Sequence, residues 1–363
     1  MNKKIINLLL SIMFVFNIVG CGITSNEETT GDVFIIQEKG VHESSHAESA
    51  NSTEGSTEKV STPDYGVWYP YWDYDTATQE MDQIGNRLNT ICFFAAYFDV
   101  NGKAFIPEDT KNTFTELTKS GKLHGKTTYL TFVNDKLLKK GSSLKDTDLL
   151  YDLIGDSKKA MAHADEAIAL CKNLGCDGLE IDYEAIKKDK ILWEHYNEFV
   201  TILAEKAKNQ GLSLRIVFEP SAPISEYNWP SSCEYVMMCY NLNGYGTNPG
   251  PKANIEWLRS LAEKMNNIPG SSNMALANGG FDFSSSGEIK QINYQDAKDL
   301  IAKYSATSKR DSSSAAMSFT YTDENGINHE VWYADEETIE TWINTVSNCG
   351  INRVTIWRLG GNL

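Results

Sequence analysis

The run Asp177-Gly178-Leu179-Glu180-Ile181-Asp182-Tyr183-Glu184 places an acid at every second position. In an extended chain alternate side chains face opposite ways, so Glu180, Asp182 and Glu184 share one face and Leu179, Ile181 and Tyr183 the other. Carboxyl groups crowded in this way cannot all ionise cheaply, and at least one is expected to keep its proton to higher pH. A carboxylic acid still protonated near neutrality can donate to a leaving oxygen, the task of a general acid in glycosidic bond cleavage. Glu184, last in the run, is the natural donor. Two other readings compete. Acids in so acidic a chain are usually surface groups, but alternation within an apolar run argues against that here. A divalent metal could be held by three carboxylates, although no nearby His, Asn or further acid completes a recognisable loop, and no metal is assigned.

Such a segment needs a scaffold that exposes the end of a strand. Short β-rich runs alternate with helix-like segments throughout the region after Pro63, the pattern of parallel strands joined by helical crossovers. Strands are expected near 66–71, 90–98, 127–133, 178–183, 213–219, 235–240, 274–279 and 353–358, with apolar residues at helical spacing over 158–173, 193–209, 254–265, 294–304 and 335–348. Eight strands with intervening helices predict an α/β fold, a TIM (β/α)8 barrel, with reactive groups at the carboxyl ends of the strands. Between the seventh and eighth strands, Ser318–Thr322 and His329–Tyr333 flank Asp323-Glu324-Asn325-Gly326 and predict a small hairpin insertion over 317–332.

The acidic run resembles the DGxDxDxE signature of glycoside hydrolase family 18, matching it at Asp177, Gly178, Asp182 and Glu184. Glu180 departs from it, standing where the family has Asp. The resemblance implies substrate-assisted catalysis with net retention, in which the sugar's own acetamido oxygen replaces a protein nucleophile. It implies that Asp182 orients the acetamido group, that Glu180 tunes Asp182, and that Glu184 serves first as acid and then as base. No cofactor or metal is implied. Met237 to Asn241 is similar to the family's MxYD element, making Tyr240 a donor to the acetamido oxygen and Asn241, in place of Asp, a sugar-binding group. Thr355 to Gly360 is similar to the terminal WxLG, making Trp357 the floor beneath the sugar. Val331 to Asp335 resembles the WYDD element and nominates Trp332 and Tyr333 for the cleft. Trp68 and Tyr71, in an aromatic cluster with Tyr69 and Trp72, are further candidates because sugar rings stack on such faces. The SxGG motif of true chitinases is missing from 127–133. The implied substrate is a GlcNAc-containing polysaccharide or glycan: peptidoglycan, chitin oligomers or N-glycans. The alternative is a lectin-like, non-catalytic barrel, against which the retained Glu184 and Asp182 argue.

The flanking sequence suggests where this happens. Lys3 and Lys4, an apolar run from Ile5 to Val19, then Gly20 and Cys21 have the order of a secretory signal, and Ile18 to Cys21 resembles a bacterial lipobox. Residues 1–21 are therefore expected to be a lipoprotein signal with Cys21 lipidated. An uncleaved membrane helix is disfavoured because the run is shorter than the roughly 20 residues a bilayer needs. Residues 22–62 carry eight acidic and two basic side chains with almost no aromatics, the composition of a disordered tether. Residues 63–363 form the expected catalytic domain. Of the overall charge of −16 this domain holds about −12 with no basic run, which disfavours nucleic acid as a partner. The expected protein is a monomer, extracytoplasmic and held to the membrane through the lipid on Cys21. Its six remaining cysteines show no zinc-type pairing, and their redox state is not fixed by spacing.

Overall fold

The computed structural model describes residues 63–361; the expected signal, Cys21 and the tether lie outside them. Seven parallel strands follow one another around a ring: β1 Asp64–Pro70, β2 Leu88–Phe98, β3 Thr127–Leu137, β4 Gly178–Asp182, β5 Ser213–Phe218, β6 Glu234–Met238 and β7 Ser271–Ala277. The strand Arg353–Trp357 pairs with both β7 and β1 and closes the barrel. All eight expected strands are present. The sixth stops at Met238, short of the expected end, which leaves Tyr240 and Asn241 in the loop beyond it.

Alternation along each strand sorts the side chains into two cores. Val67, Phe93, Leu130, Leu179, Ile181 and Ile216 point outward into the main apolar core under the helices, whereas Trp68, Cys92, Tyr129, Val217, Val236 and Met238 fill the interior. The outer layer comprises α1 Tyr74–Ile84, α2 Glu108–Lys119, α3 Thr147–Ile154, α4 Ser157–Leu174, α5 Lys190–Asn209 and α6 Ile255–Met265. Four of these starts are set by a side-chain oxygen of Asp146, Asp156, Asp189 or Asn254 that accepts from a backbone N–H three residues on, each worth about 1 kcal/mol. Among the described residues no helix is long and apolar enough to cross a membrane, and the six cysteines are free thiols, all but Cys349 buried.

The insertion is larger than the hairpin expected at 317–332. A single residue, Asn278, separates β7 from β8 Gly279–Ser284, and β9 Ile289–Ile292, α7 Tyr294–Tyr304, β10 Met317–Thr322 and β11 Asn328–Ala334 follow, with the short strand Lys309–Arg310 at one edge. The expected hairpin exists as β10 and β11, but the other edge of β11 pairs antiparallel with β8. The close approach requires glycine at 280, where a Cβ would lie 1.8 Å from the Trp332 carbonyl oxygen. This sheet has its own core of Ile292, Ala297, Phe319, Val331 and Tyr333. From it α8, Glu336–Ser347, capped by Asp335, leads to the last barrel strand, β12 Arg353–Trp357.

Candidate active site

β4 owes its position to the first two residues of the acidic run. Asp177 accepts from the Thr128 amide at 2.8 Å and the Thr128 hydroxyl at 2.7 Å, stitching the strand's entry to β3. At Gly178 any Cβ would lie 2.5 Å from the Ser213 carbonyl oxygen and 2.6 Å from the Tyr129 ring, so only glycine lets β5 and Tyr129 pack against it. Leu179, Ile181 and Tyr183 are buried beneath the helices, leaving the three acids for the interior face.

The three carboxylates occupy different environments. Glu180 is fully buried and saturated with donors: Trp68 Nε1 at 2.6 Å and Thr131 Oγ1 at 2.7 Å on one oxygen, Arg215 Nε at 2.8 Å and Cys92 Sγ at 3.5 Å on the other. Register makes this possible, for Thr131 and Arg215 sit level with Glu180 on the neighbouring strands. Arg215 also reaches Glu234 at 2.6 Å, which in turn takes Arg353 at 2.7 Å, so an ionic ladder crosses the barrel floor. With both oxygens committed to these donors, Glu180 bears on Asp182 through its charge. Among the described residues no group of three or more His, Cys, Asp or Glu side chains is placed to hold a metal ion.

Asp182 is the opposite case. It is 7% exposed, and its Oδ1 is buried with no hydrogen-bond partner. Burial pushes its pKa well above the ordinary carboxylate range; the charges of Glu184 and Glu180 push the same way, and Lys145 opposes them. An unpartnered buried acceptor is a cost that a ligand N–H relieves.

Glu184 lies two residues past the strand. Its amide donates to Asn134 Oδ1 at 2.9 Å and its carbonyl accepts from Asn134 Nδ2 at 3.1 Å, while the next amide, of Ala185 in the left-handed region (φ 64°), donates to Glu219 at 2.8 Å. The side chain keeps 18% exposure and forms an ion pair with Lys145. Burial raises its pKa, Lys145 pulls the other way by charge and hydrogen bond, and Glu219 and Asp135 raise it further. A partly open carboxyl with a raised pKa, beside an acid whose pKa is also raised and whose Oδ1 is unpartnered, can deliver a proton and take one back.

The remaining candidates divide. Tyr240 is partly buried, packs with Trp357 and Phe94 in the interior cluster, and has a phenol pKa raised well above its ordinary value by burial and by the charges of Asp182, Glu184 and Glu180. It therefore stays a proton-bearing donor. Trp357 is partly buried, with ring centroids 5.8 Å from Trp68 and 4.9 Å from Phe94. Asn241 is exposed in a left-handed turn (φ 62°) and makes no hydrogen bond to the three acids. Trp68 is not a sugar platform: it is 1% exposed, and its indole N–H is spent on Glu180. Tyr333 is likewise no cleft residue, being 5% exposed in the core of the inserted sheet. Alternation turns Trp332 to the opposite side, half-buried, with its indole donating to Glu330 at 2.7 Å. Tyr71 is half-buried against Trp72 and Tyr97.

Asn134, Asp135, Lys145, Arg215 and Glu219 surround the acidic run in the structure and were absent from the sequence-derived set. Arg215 and Glu219 carry a signal, a charge within or ending an apolar strand run. Lys145 carries none, because it arrives from a loop.

Residues 67–362 match the family model for Glycosyl hydrolases family 18. The chain is 26% identical over 328 residues to "Uncharacterized glycosylase YvbX" of Bacillus subtilis (strain 168), covering 81% of this chain and 88% of that one. Its fold is similar to that of the spore cortex-lytic enzyme SleL of Bacillus megaterium QM B1551 (TM-score 0.68, 17% identity, 83% of this chain and 71% of that one). It is also similar to the chitinase of Cycas revoluta in complex with (GlcNAc)3 (TM-score 0.66, 14% identity, 82% and 95%). The barrel, its order of strands and the matched span together show that this chain is a glycoside hydrolase and belongs to glycosyl hydrolase family 18.

Proposed function

We propose that this protein is a retaining β-N-acetylglucosaminidase that cuts a GlcNAc-containing polysaccharide outside the cell. The observation that carries the reading is Asp182 Oδ1, buried and unpartnered two residues before the donor Glu184. An acetamido N–H would supply the missing hydrogen bond and turn the acetamido oxygen toward the anomeric carbon. As that oxygen bonds to the carbon, the glycosidic bond breaks, its electron pair leaves with the aglycone oxygen, and Glu184 delivers the proton. Glu184, now a carboxylate, takes a proton from the water that opens the oxazolinium-like intermediate, so the anomeric configuration is retained. Tyr240 donates to the acetamido oxygen and Trp357 lies beneath the sugar. No metal or cofactor enters this scheme.

Peptidoglycan is the favoured polymer. The expected lipid on Cys21 and the acidic tether of 22–62 would hold the domain at the outer membrane face within reach of the wall, and a fold neighbour is described as spore cortex-lytic. The same reading takes the enzyme as a monomer.

The test is Glu184→Gln against a panel of peptidoglycan, acetylated chitooligosaccharide and N-glycan, with products followed by mass and by the anomer first released. Loss of about 10²- to 10⁴-fold in rate with β-anomer from the wild type is expected. Turnover by the variant at the wild-type rate sinks the assignment of the acid. Tight binding with no wild-type turnover supports a lectin-like barrel instead.

A further inference from the structure

Lys145 is held against the acid by construction. The segment that carries it folds back on β3 through the pairing Lys136↔Ser143 and Leu137↔Ser142. Its own amide, in the left-handed region at φ 51°, donates to Asp135 at 2.7 Å, and the next amide, of Asp146, donates to the Asn134 carbonyl at 2.8 Å. Asp146 then caps α3 and pairs with Lys136 at 3.3 Å. Asn134 also clamps the backbone of Glu184 from both sides. One buried asparagine thus sets the register of the two segments whose side chains meet as the Lys145–Glu184 ion pair. Surface pairs of long flexible side chains have no such anchoring.

We propose that Lys145 is a positioning residue for the glycosidic reaction, a built-in counter-ion that governs when Glu184 releases its proton and which of its oxygens faces the substrate. The proposal rests on Glu184 being the acid, as read above. The groups facing Glu184 are Asp182 from β4, Asp135 and Lys145 from the β3 side, Glu219 from the end of β5 and Tyr240 beyond β6. Of these Lys145 alone is a cation. Burial and the charges of Glu219 and Asp135 favour the protonated form of Glu184; an ammonium in contact favours the carboxylate. Without it, the acid would hold its proton more firmly against loss to a leaving oxygen. With it, the carboxylate formed on proton transfer is born beside a positive charge, and the proton recovered from water must work against that charge. Lys145 therefore strengthens the acid of the first step and weakens the base of the second. The contact also occupies Glu184 Oε2, leaving Oε1 for the reacting atoms.

The experiment compares wild type, Lys145→Gln and Lys145→Arg by two readouts. The first is the titration of the Glu184 carboxyl carbon by NMR in ¹³C-glutamate-labelled protein, assigned by its disappearance in Glu184→Gln. The second is the basic limb of the kcat/KM profile on whichever glycan of the panel is cut. In Lys145→Gln the midpoint and the limb are expected to move up together by about one pH unit or more, and Lys145→Arg to restore both. An unmoved midpoint in Lys145→Gln, or an Arg variant that behaves like the Gln variant, overturns the proposal. If the wild type cuts nothing, the enzymatic reading falls while the carboxyl titration still decides whether Lys145 sets the ionisation of Glu184.

Discussion

At the scale of single residues, Asp182 links catalysis to stability through its ionisation. Its folded pKa lies above the unfolded value, so between the two the native state binds more protons than the unfolded chain, and stability falls as pH rises through that window. Asp182→Asn is expected to abolish turnover while raising stability, with the gain growing from pH 4 to pH 8 and reaching about 1 kcal/mol or more, since each unit of mismatch is worth about 1.4 kcal/mol. Thermal unfolding of both proteins at several pH values decides it; a difference independent of pH refutes the assigned cause. Period-two spacing made the three acids legible from sequence, because side-chain direction in a strand depends only on parity. Their distinct roles were not legible. Glu180 and Asp182 have the same local context, and what separates them is which neighbours lie level across the barrel, a matter of register between strands more than 30 residues apart. Aromatic identity misled for the same reason: Trp68 and Tyr333 are rings that could stack on sugar, but one donates to a buried carboxylate and the other fills a core.

At the scale of elements, the ladder Glu180–Arg215–Glu234–Arg353 ties β4, β5, β6 and β12 together across the barrel interior. Removing one partner strands a charge where Arg215 is 1% exposed. Arg215→Met is expected to destabilise by about 3–5 kcal/mol, and the double variant Glu180→Gln/Arg215→Met by less than the sum of the single changes. Chemical denaturation of the four proteins of that cycle measures the coupling; strict additivity would mean that the pair contributes no interaction of its own. The strands themselves could be read from sequence because each is a short apolar run between helical segments. The full insertion was not legible because β8 follows β7 after one residue, so the break Asn278-Gly279-Gly280 marks the exit from the barrel without a loop that would separate two strands. The β10–β11 hairpin was visible because Asp323 to Gly326 separates two alternating runs.

At the scale of the whole molecule, residues 63–361 contain the closed barrel, its helical layer and both cores. A variant beginning at Pro63 is expected to melt within about 2 °C of the full chain and to cut soluble oligosaccharide at an unchanged kcat, a difference equivalent to less than about 1 kcal/mol. Calorimetry and single-substrate kinetics check this, and a large drop in either would show that the first 62 residues belong to the folded unit. The barrel was foreseeable as a count of alternating elements, whereas the match of charges across its interior was not, since that arises only on closure. One feature of that interior reaches beyond the protein. On the proposed reading, the bare oxygen of Asp182 waits for an amide, and a glucosamine unit stripped of its acetyl group brings an ammonium and no carbonyl oxygen in its place. Deacetylated stretches of the polymer would then persist as uncut blocks, and the pattern of fragments would record where a deacetylase had been.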